Sequence, residues 1–421
     1  MSASQRRPAT HPRASTSSAT RFILFAVLID AMGFGIVMPV LPDIVMTLGH
    51  VDLPAATRIG GWLGVVYAAV QFLTGPLVGN LGDRFGRRPI LLCALAGFAI
   101  DYALMGLAPS LGWLFAGRAL AGLFGASYGP AGAALADVSR PDERAHYFGM
   151  LGAAFGIGFI AGPALGGLLG EFGPRAPFYA AAALAAFNFL FGLIVFPETL
   201  ARERRRPFEW ARANPLGALL SLRHLPRVLG LAAAGFWWNL AGMVYPAAWA
   251  FYAMAAFGWS PGIVGLSLAW VGLMMAASQM LLVGRVVARV GERRAAIIGV
   301  VAGTIEFVGF AVAREGWQAF AVMLLNPLQS LAMPALSGMM SRAVPADRQG
   351  ELQGFNGSVA AVAAILAPLI FNPVLAYYTG AKAPIEFVGA PFVIAASFSL
   401  VAVLLLMFAG RRDQMPSATA S

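Results

Sequence analysis

The sequence is poor in charged residues, cysteine and histidine, and each shortage excludes a class of protein. Only 11% of its 421 residues are charged, against roughly 25% in soluble domains. A single cysteine, Cys93, excludes an intramolecular disulfide and a cysteine-based metal cluster. We therefore expect no metal and no cofactor. The four histidines lie in the N-terminal segment or in predicted loops: His11, His50, His146 and His224.

Apolar residues make up 59% of the chain, and the mean hydropathy is +0.74. Continuous apolar runs of about 20 residues are typical of helices that cross a bilayer, and they are too long for the strands of a membrane barrel. The sequence therefore predicts an all-α membrane protein. Twelve transmembrane helices are predicted, at 22–45, 60–81, 89–108, 112–137, 145–170, 177–196, 226–253, 262–287, 294–313, 317–341, 352–377 and 388–409.

Basic residues are segregated along this pattern. The 29 lysines and arginines lie at the termini or in loops after even-numbered helices, with five exceptions: Arg58, Arg118, Arg175, Arg314 and Lys382. Because Lys and Arg accumulate on the cytoplasmic side, we expect both termini in the cytoplasm. The net charge of +10 then reflects this asymmetry and contact with membrane lipid rather than binding of nucleic acid.

The chain divides into two halves. Residues 1–20 are polar and lack the apolar stretch of a signal peptide, so we predict a disordered cytoplasmic tail there, and a second tail at 411–421. A six-helix bundle is predicted at 21–197, a cytoplasmic linker at 198–225, and a second bundle at 226–410.

The two halves repeat each other at an offset of 204 or 205 residues. An even number of helices in each half gives both the same orientation, and parallel repeats of this kind are typical of the major facilitator fold. The matching positions are Gly79 with Gly284, Gly86 with Gly291, Pro130 with Pro334, Arg144 with Arg348, and Pro163 with Pro368.

Four ionisable residues lie inside predicted membrane helices: Asp30, Asp101, Arg118 and Glu306. Such residues are costly in a membrane and usually functional. A carboxylate in a poorly hydrated site holds a proton more readily, so these residues suit proton coupling. The alternative is a structural ion pair, in which Arg118 and a carboxylate lock two helices together.

The loop "GNLGDRFGRRPILL" at 79–92 crowds charges between two apolar runs. Gly82 and Gly86 permit a tight turn. Arg87 and Arg88 suit the cytoplasmic side of the membrane, but the positive-inside rule gives no reason for Asp83. We predict a cytoplasmic latch whose ion pairs break in one conformational state, with Asp137 and Glu198 as acidic partners. The predicted gating residues are Gly79, Asp83, Arg84, Gly86, Arg87, Arg88, Asp137 and Glu198.

This loop resembles the signature loop of the major facilitator superfamily, and other segments resemble its twelve-helix drug–proton antiporters, above all the tetracycline-efflux transporters. The resemblance is dense over 22–200 and thinner over 226–380. It is carried also by "LIDAMGFGIVMPVLPDI" (28–44), "YAAVQFLTGPLVGN" (67–80), "LAGFAIDYALMGLA" (95–108), "AGRALAGLFGAS" (116–127), "GFIAGPALGGLLGEFGPRAPFY" (158–179) and "FPET" (196–199).

The resemblance implies that Asp30, Asp101 and Arg118 serve drug–proton exchange and that the 79–92 loop gates the transporter. It also implies that "GFIAGPALGG" is the antiporter signature, whereas its glycine spacing alone indicates close helix packing. The predicted antiporter-helix residues are Gly158, Gly162, Pro163, Gly166 and Gly167. The predicted substrate-binding residues are Tyr67, Gln71, Tyr102, Trp237, Asn239 and Gln279, with Gln71 and Gln279 matching glutamines of the family.

Two positions depart from the tetracycline-efflux pattern. Met275 stands where those transporters have a histidine, and Gly303 where they have an aspartate. Glu306 lies about one helical turn beyond Gly303, so it is a candidate to replace the missing carboxylate. These departures put recognition of a tetracycline–magnesium chelate in question.

We therefore predict a monomeric inner-membrane antiporter that exports a lipophilic drug in exchange for protons. Proton-linked uptake of a sugar or organic acid is an alternative, which the apolar character of helices 1, 2, 7 and 8 disfavours. A membrane-embedded hydrolase is a third, but the sequence contains no HExxH or GxSxG pattern and no histidine deep in a membrane helix.

Overall fold

The structure is a computed structural model that describes residues 13–125, 128–140, 143–210, 217, 226–345 and 348–409. In the first half the α-helices are α1 (Arg13–Val37), α2 (Leu41–Gly49), α3 (Leu53–Phe85), α4 (Arg87–Gly106), α5 (Leu111–Phe124), α6 (Tyr128–Val138), α7 (Arg144–Gly170) and α8 (Ala176–Val195).

In the second half they are α9 (Pro226–Gly242), α10 (Val244–Phe257), α11 (Pro261–Ser278), α12 (Gly284–Val290), α13 (Glu292–Val312), α14 (Gly316–Met323), α15 (Asn326–Gln329), α16 (Ala332–Ala343), α17 (Gln349–Tyr378) and α18 (Ala390–Ala409). Single turns of 3-10 helix lie at Met38–Val40 and Arg202–Arg204. A π-helical segment, Gln279–Val283, joins α11 to α12.

Eleven helical stretches in the described residues are long and apolar enough to cross a membrane. They match eleven of the twelve predicted spans, so the prediction of an all-α membrane protein is confirmed. Within the predicted fourth span, 112–137, the structure describes two shorter helices, α5 and α6, and residues 126 and 127 between them lie outside the described residues. Gly125 is the C-cap of α5, and its carbonyl oxygen accepts a hydrogen bond from the Gln71 side chain at 2.9 Å. A side chain of α3 thus satisfies a backbone group at the end of α5.

The predicted tails are only partly described. Residues 1–12 and 410–421, and half of the predicted linker (211–216 and 218–225), lie outside the described residues. Residues 13–20, which we expected to be disordered, already belong to α1. The helix extends beyond the apolar run because a nucleated helix adds further residues at little cost.

Three predicted spans are interrupted or distorted in ways that the apolar pattern did not indicate. The seventh breaks at Met243, between α9 and α10, and the tenth is divided into α14, α15 and α16. The eighth contains the π-helical segment after Ser278. Such π-segments are rare and occur frequently at functional sites.

The internal repeat is visible in the backbone. Gly86 separates α3 from α4 with φ 108° and ψ 163°, and Gly291 separates α12 from α13 with φ 80° and ψ 160°. Both conformations lie at positive φ, where glycine is favoured. Arg88 then donates to the Leu193 carbonyl at the end of α8, and Arg293 donates to the Met407 carbonyl at the end of α18. Equivalent arginines therefore join equivalent helices in the two halves, α4 to α8 in the first and α13 to α18 in the second.

The halves meet through two helix pairs, α3 with α17 and α7 with α11. We call the end of the molecule that carries Gly86 and Gly291 the basic end, and the opposite end the far end. The contacts between the halves lie toward the far end: the Asn372 side chain of α17 donates to the Thr57 carbonyl of α3 at 3.1 Å. A Cβ built on Gly167 of α7 would lie 2.5 Å from the Pro261 carbonyl oxygen of α11.

Toward the basic end the same helices separate. Among the described residues, no heavy atom of a neighbouring element lies within 4 Å of a Cβ built on a series of glycines there: Gly75, Gly79, Gly149, Gly152, Gly156, Gly284, Gly350 and Gly357. The halves are thus closed at the far end and open at the basic end.

Candidate functional site

Asp101 and Arg118 form a buried pair in the first half. Asp101 on α4 is fully buried, and Arg118 Nη2 on α5 lies 3.7 Å from Asp101 Oδ2. No hydrogen-bond donor among the described residues reaches either carboxylate oxygen. A buried carboxylate of this kind depends on one opposite charge, so protonation of Asp101 would remove the attraction that holds Arg118.

Tyr67 and Gln71 of α3 connect this pair to the space between the halves. The Arg118 guanidinium lies 5.7 Å from the centre of the Tyr67 ring, within the range of a cation–π contact. Gln71 Nε2 donates to the Tyr67 hydroxyl at 3.2 Å. Arg118, Tyr67 and Gln71 thus form a continuous chain of contacts that starts at the buried pair.

Gln71 lines a cavity of about 510 Å³ that runs along α3 toward the basic end. The cavity volume falls within the usual range for small-molecule sites. Glycines of α3 and of the region around the start of α6, together with the aromatic Tyr128, form its walls. The lining residues are Gln71, Gly75, Gly79, Asp83, Arg87, Gly125, Tyr128, Gly129, Pro130 and Ala133.

Asp30 lies apart from the Asp101 pair, against α8. The Asn188 side chain donates to the Ala26 carbonyl at 3.2 Å and approaches Asp30 Oδ1 at 3.5 Å. Asn188 is fully buried. It was not among the predicted site residues, although an uncharged polar residue in the apolar sixth span was an available signal. Asn188 of α8 thus contacts both the backbone of α1 and the Asp30 side chain on it.

Glu306 lies in the second half, in a polar network of its own. It is fully buried on α13 and accepts a hydrogen bond from the Tyr245 hydroxyl at 3.1 Å. The nearby Asn326 side chain is buried as well and donates to Gln329 Oε1 at 2.9 Å. Tyr245, Asn326 and Gln329 were missed in the sequence, because α15 is a short break inside a predicted span.

The predicted substrate-binding residues do not form one wall. Tyr102 is 4% exposed, and its ring fills the space above Gly33, so it packs between α4 and α1 instead of facing the cavity. Trp237 packs on Phe398 of α18 with ring centres 5.1 Å apart. Asn239 approaches the Met333 sulfur of α16 at 3.8 Å. Gln279 begins the π-helical segment and is exposed.

Arg87 is the centre of the predicted latch. Its guanidinium lies 2.7 Å from Asp83 and 3.1 Å from Asp137 of α6, and its backbone N–H donates to Glu198 at 2.9 Å. Three acidic residues from three elements therefore converge on a single residue at the start of α4. Arg84 instead lies against the ring of Phe85 at 5.0 Å.

The segment 198–210 packs against the Arg87 cluster at the basic end. Glu198 lies 3.6 Å from Arg205, and the backbone N–H of Arg206 donates to the Asp83 carbonyl at 3.0 Å. The Asn80 side chain donates to the Glu209 carbonyl at 2.6 Å. The beginning of the predicted linker is thus fastened to the basic end of the first half.

The predicted antiporter helix, α7, presents glycines on two faces. One face packs on α1: a Cβ on Gly162 would lie 2.5 Å from the Met32 carbonyl oxygen, and Gly158 and Gly166 make similar contacts. The other face, with Gly167 and the Pro163 carbonyl, packs on α11 of the second half, while the Pro163 ring lies against Gly35 of α1. The signature therefore holds α7 against its own half and against the opposite half at the same level.

The two departures from the tetracycline-efflux pattern occupy different settings. Met275 on α11 is 45% exposed. A Cβ on Gly303 would lie 2.8 Å from Trp238 Cζ3 and 3.0 Å from Gln329 Cγ. An aspartate at position 303 does not fit beside Trp238, so the missing carboxylate follows from the packing around α13.

Comparison with known proteins agrees with the sequence motifs. The profile of the Major Facilitator Superfamily matches residues 23–368 and 238–420. The class C tetracycline resistance protein of Escherichia coli is 41% identical over 86% of this chain and 90% of its own length. The class G tetracycline resistance protein of Vibrio anguillarum is 39% identical over 86% and 92%.

Solved structures confirm the fold. A bacterial homologue of the human lysosomal transporter Spinster, in an inward-facing and occupied conformation, has a TM-score of 0.80 at 15% identity, over 97% of this chain and all of that one. The human organic anion transporter MFSD10 has a TM-score of 0.67 at 24% identity, over 94% of this chain and all of that one. The chain therefore belongs to the major facilitator superfamily and, as its motifs predicted, to the group of the tetracycline-efflux transporters.

Proposed function

We propose that the chain exports a lipophilic drug of the tetracycline type across the inner membrane in exchange for protons. The superfamily and the tetracycline resistance relatives support drug efflux. The observation that carries the coupling is the buried Asp101–Arg118 pair, which is linked through Tyr67 to Gln71 in the cavity wall. Transport of this kind uses the proton gradient and needs no cofactor, and the chain is not an enzyme.

The pair couples proton and drug through Arg118. With Asp101 ionised, Arg118 is held 3.7 Å from Asp101, and Tyr67 and Gln71 keep their mutual hydrogen bond. A proton on Asp101 neutralises the carboxylate, and Arg118 is then free to shift toward Tyr67. The two arrangements therefore present different cavity walls to the drug. The arrangement with ionised Asp101 binds drug, and the arrangement with protonated Asp101 carries the proton. Drug and proton thus exclude each other, as exchange requires.

Asp30, Glu306 and the latch residues have supporting roles in this proposal. Asp30 and Glu306 are further proton-binding carboxylates, one in each half. The Arg87 cluster gates the basic end, and the α7 glycines permit the far end to close. With the excess of arginine on its side, the basic end faces the cytoplasm, so the open cavity receives drug from the cytoplasm. The transporter acts as a monomer.

Proton release from proteoliposomes tests the proposal. Liposomes with an acidic interior receive tetracyclines and cationic dyes in turn, and the external pH is recorded for wild type, Asp30→Asn and Asp101→Asn. Drug-triggered proton release that is lost in Asp101→Asn supports the proposal. Silence for every drug, from folded protein, would overturn it. Proton release with dyes but not with tetracyclines would indicate that Met275 and Gly303, the two departures from the tetracycline-efflux pattern, change which drug is transported.

A further inference from the structure

A second cavity lies outside the transport pathway, on the outer surface of the second half at the basic end. Its volume is about 610 Å³, and it lies between the α12–α13 turn and the end of α18. Its lining divides into a charged part at the turn and an apolar part below it. The lining residues are Val290, Gly291, Glu292, Arg293, Arg294, Ile297, Leu404, Met407 and Phe408.

The charged part is positive. Glu292 is the acidic lining residue, but its carboxylate forms an ion pair with Arg342 of α16. Arg293 Nη2 donates to the Met407 carbonyl at 3.0 Å, while its Nε is buried without a hydrogen-bond partner among the described residues. Arg294 is exposed at the cavity mouth. The exposed guanidinium of Arg294 thus offers positive charge to an anion, beside the Arg293 guanidinium that also holds α18.

The apolar part continues as a groove along the outer face of α13 and α18. Leu404 and Met407 are exposed by 53% and 49%, and Leu400, one turn further from the basic end, by 53%. Across the groove, Val301 and Ile305 of α13 are exposed as well. Exposed aliphatic side chains on the outside of a membrane helix face lipid tails.

The equivalent place in the first half differs at one of the two arginine positions. Arg88 corresponds to Arg293 and donates in the same way to the carbonyl at the end of its last helix, Leu193. However, Pro89 stands where the second half has Arg294, and the segment 198–210 contacts the turn through Arg206 and Asp83. The difference between two otherwise repeated turns indicates that the exposed guanidinium of Arg294 has a separate use.

We propose that this cavity binds one anionic phospholipid of the membrane leaflet at the basic end. Arg293 and Arg294 contact the phosphate, and the acyl chains lie along the groove formed by Ile297, Leu404 and Met407. Basic pockets between membrane helices at the cytoplasmic surface suit such headgroups. The bound lipid connects the α12–α13 turn to α18 on the outer surface of the protein. At the same level, the Glu292–Arg342 ion pair connects this turn to α16 in the interior.

Lipid binding to the full-length chain tests the site directly. Purified protein in mild detergent is mixed with equal amounts of phosphatidylglycerol and phosphatidylcholine, and lipids retained on the intact chain are counted by mass spectrometry. The variants are Arg294→Gln, Arg293→Gln/Arg294→Gln and a matched control, Arg202→Gln/Arg206→Gln, which removes two exposed charges from the same end. Because Arg293 also holds the last turn of α18, Arg294→Gln is the variant that leaves the helix contacts in place.

We expect wild type to retain one phosphatidylglycerol in preference to phosphatidylcholine. Its affinity should fall about fivefold for each guanidinium removed from the cavity, and the control should match wild type. Equal retention of the two lipids would overturn the proposal, as would equal losses in the control and the cavity variants. Displacement of the lipid by inorganic phosphate alone would show an anion site without lipid recognition, and would also overturn it.

Discussion

Arg118 Nη2 lies 3.7 Å from Asp101 Oδ2 in a place where neither carboxylate oxygen has a hydrogen-bond donor among the described residues. A pair of this kind has two possible uses, as a lock between α4 and α5 or as a proton-sensitive switch. The two uses differ in what happens when both charges are removed together.

Asp101→Asn alone should unfold more readily, because Arg118 then remains as an uncompensated buried charge. The expected loss is about 3–5 kcal/mol of unfolding free energy. The double variant Asp101→Asn/Arg118→Gln should recover most of this stability and still show no drug-triggered proton release. Thermal unfolding in detergent and proteoliposome flux measure the two effects. A double variant that still exchanges protons for drug would make the pair a lock only.

Closure of the far end should depend on pH through Glu171. The Glu171 carboxylate accepts hydrogen bonds from the Ser260 side chain and from the backbone N–H of Gly262, and these bonds lower the pKa of Glu171 below its ordinary value. The contact joins the end of α7 to the start of α11. The pKa of Glu171 is lower in the closed structure than in the free side chain. The Glu171 contact therefore stabilises the closed far end fully at a pH above the ordinary pKa, and this stabilisation is lost as the pH falls through the lowered pKa.

A distance measurement across the far end tests this contact. Spin labels on Phe172→Cys and Ile263→Cys, in a Cys93→Ser chain, report the separation of the two helices. We expect the distance to lengthen in acid for wild type and to be independent of pH for Glu171→Gln, which keeps an acceptor oxygen but cannot titrate. Asp43→Asn is the control, because Asp43 is the neighbouring carboxylate whose charge interacts with Glu171. If the distance in Glu171→Gln still lengthens in acid as in wild type, a group other than Glu171 is responsible for the pH dependence.

Much of the fold could be predicted from the sequence, because apolar length and loop charge are imposed by the membrane itself. The positions of eleven spans, the division into halves and the equivalence of Gly86 with Gly291 all follow from such local signals. The pairing of the loop arginines with Asp137 and Glu198 was also predicted, and both residues contact Arg87.

The interruptions of the spans depend on tertiary contacts and could not be predicted. Gly125 ends α5 where Gln71, 54 residues away, satisfies its carbonyl. Tyr245, at the start of α10 after the break at Met243, donates to Glu306, which is 61 residues away in the sequence. Tyr102 was expected in the cavity, but its side-chain direction depends on the space above Gly33, which the sequence pattern does not reveal.

Two glycines on the same face of α7, at different levels of the helix, predict opposite effects for one substitution. A methyl group on Gly167 would lie 2.5 Å from the Pro261 carbonyl oxygen, whereas one on Gly156 meets no heavy atom of a neighbouring element in the described residues. Gly167→Ala should therefore weaken the closed far end by about 1–3 kcal/mol, and the spin-label distance should lengthen. Gly156→Ala should keep the wild-type distance and gain a little stability from its helix propensity. Equal behaviour of the two variants would contradict the packing.

Restoring the family's aspartate at position 303 should fail unless Trp238 changes with it. The Cβ of such a residue would lie 2.8 Å from Trp238 Cζ3, so Gly303→Asp and the uncharged Gly303→Asn should both be destabilised, by about 1–3 kcal/mol from overpacking. The smaller ring of Trp238→Phe should recover stability in either background. If Gly303→Asn is stable while Gly303→Asp is not, the cause is charge rather than space. Recovery of both by Trp238→Phe would show that Trp238 and Gly303 form one packing unit, which explains why the acidic residue of α13 lies at Glu306.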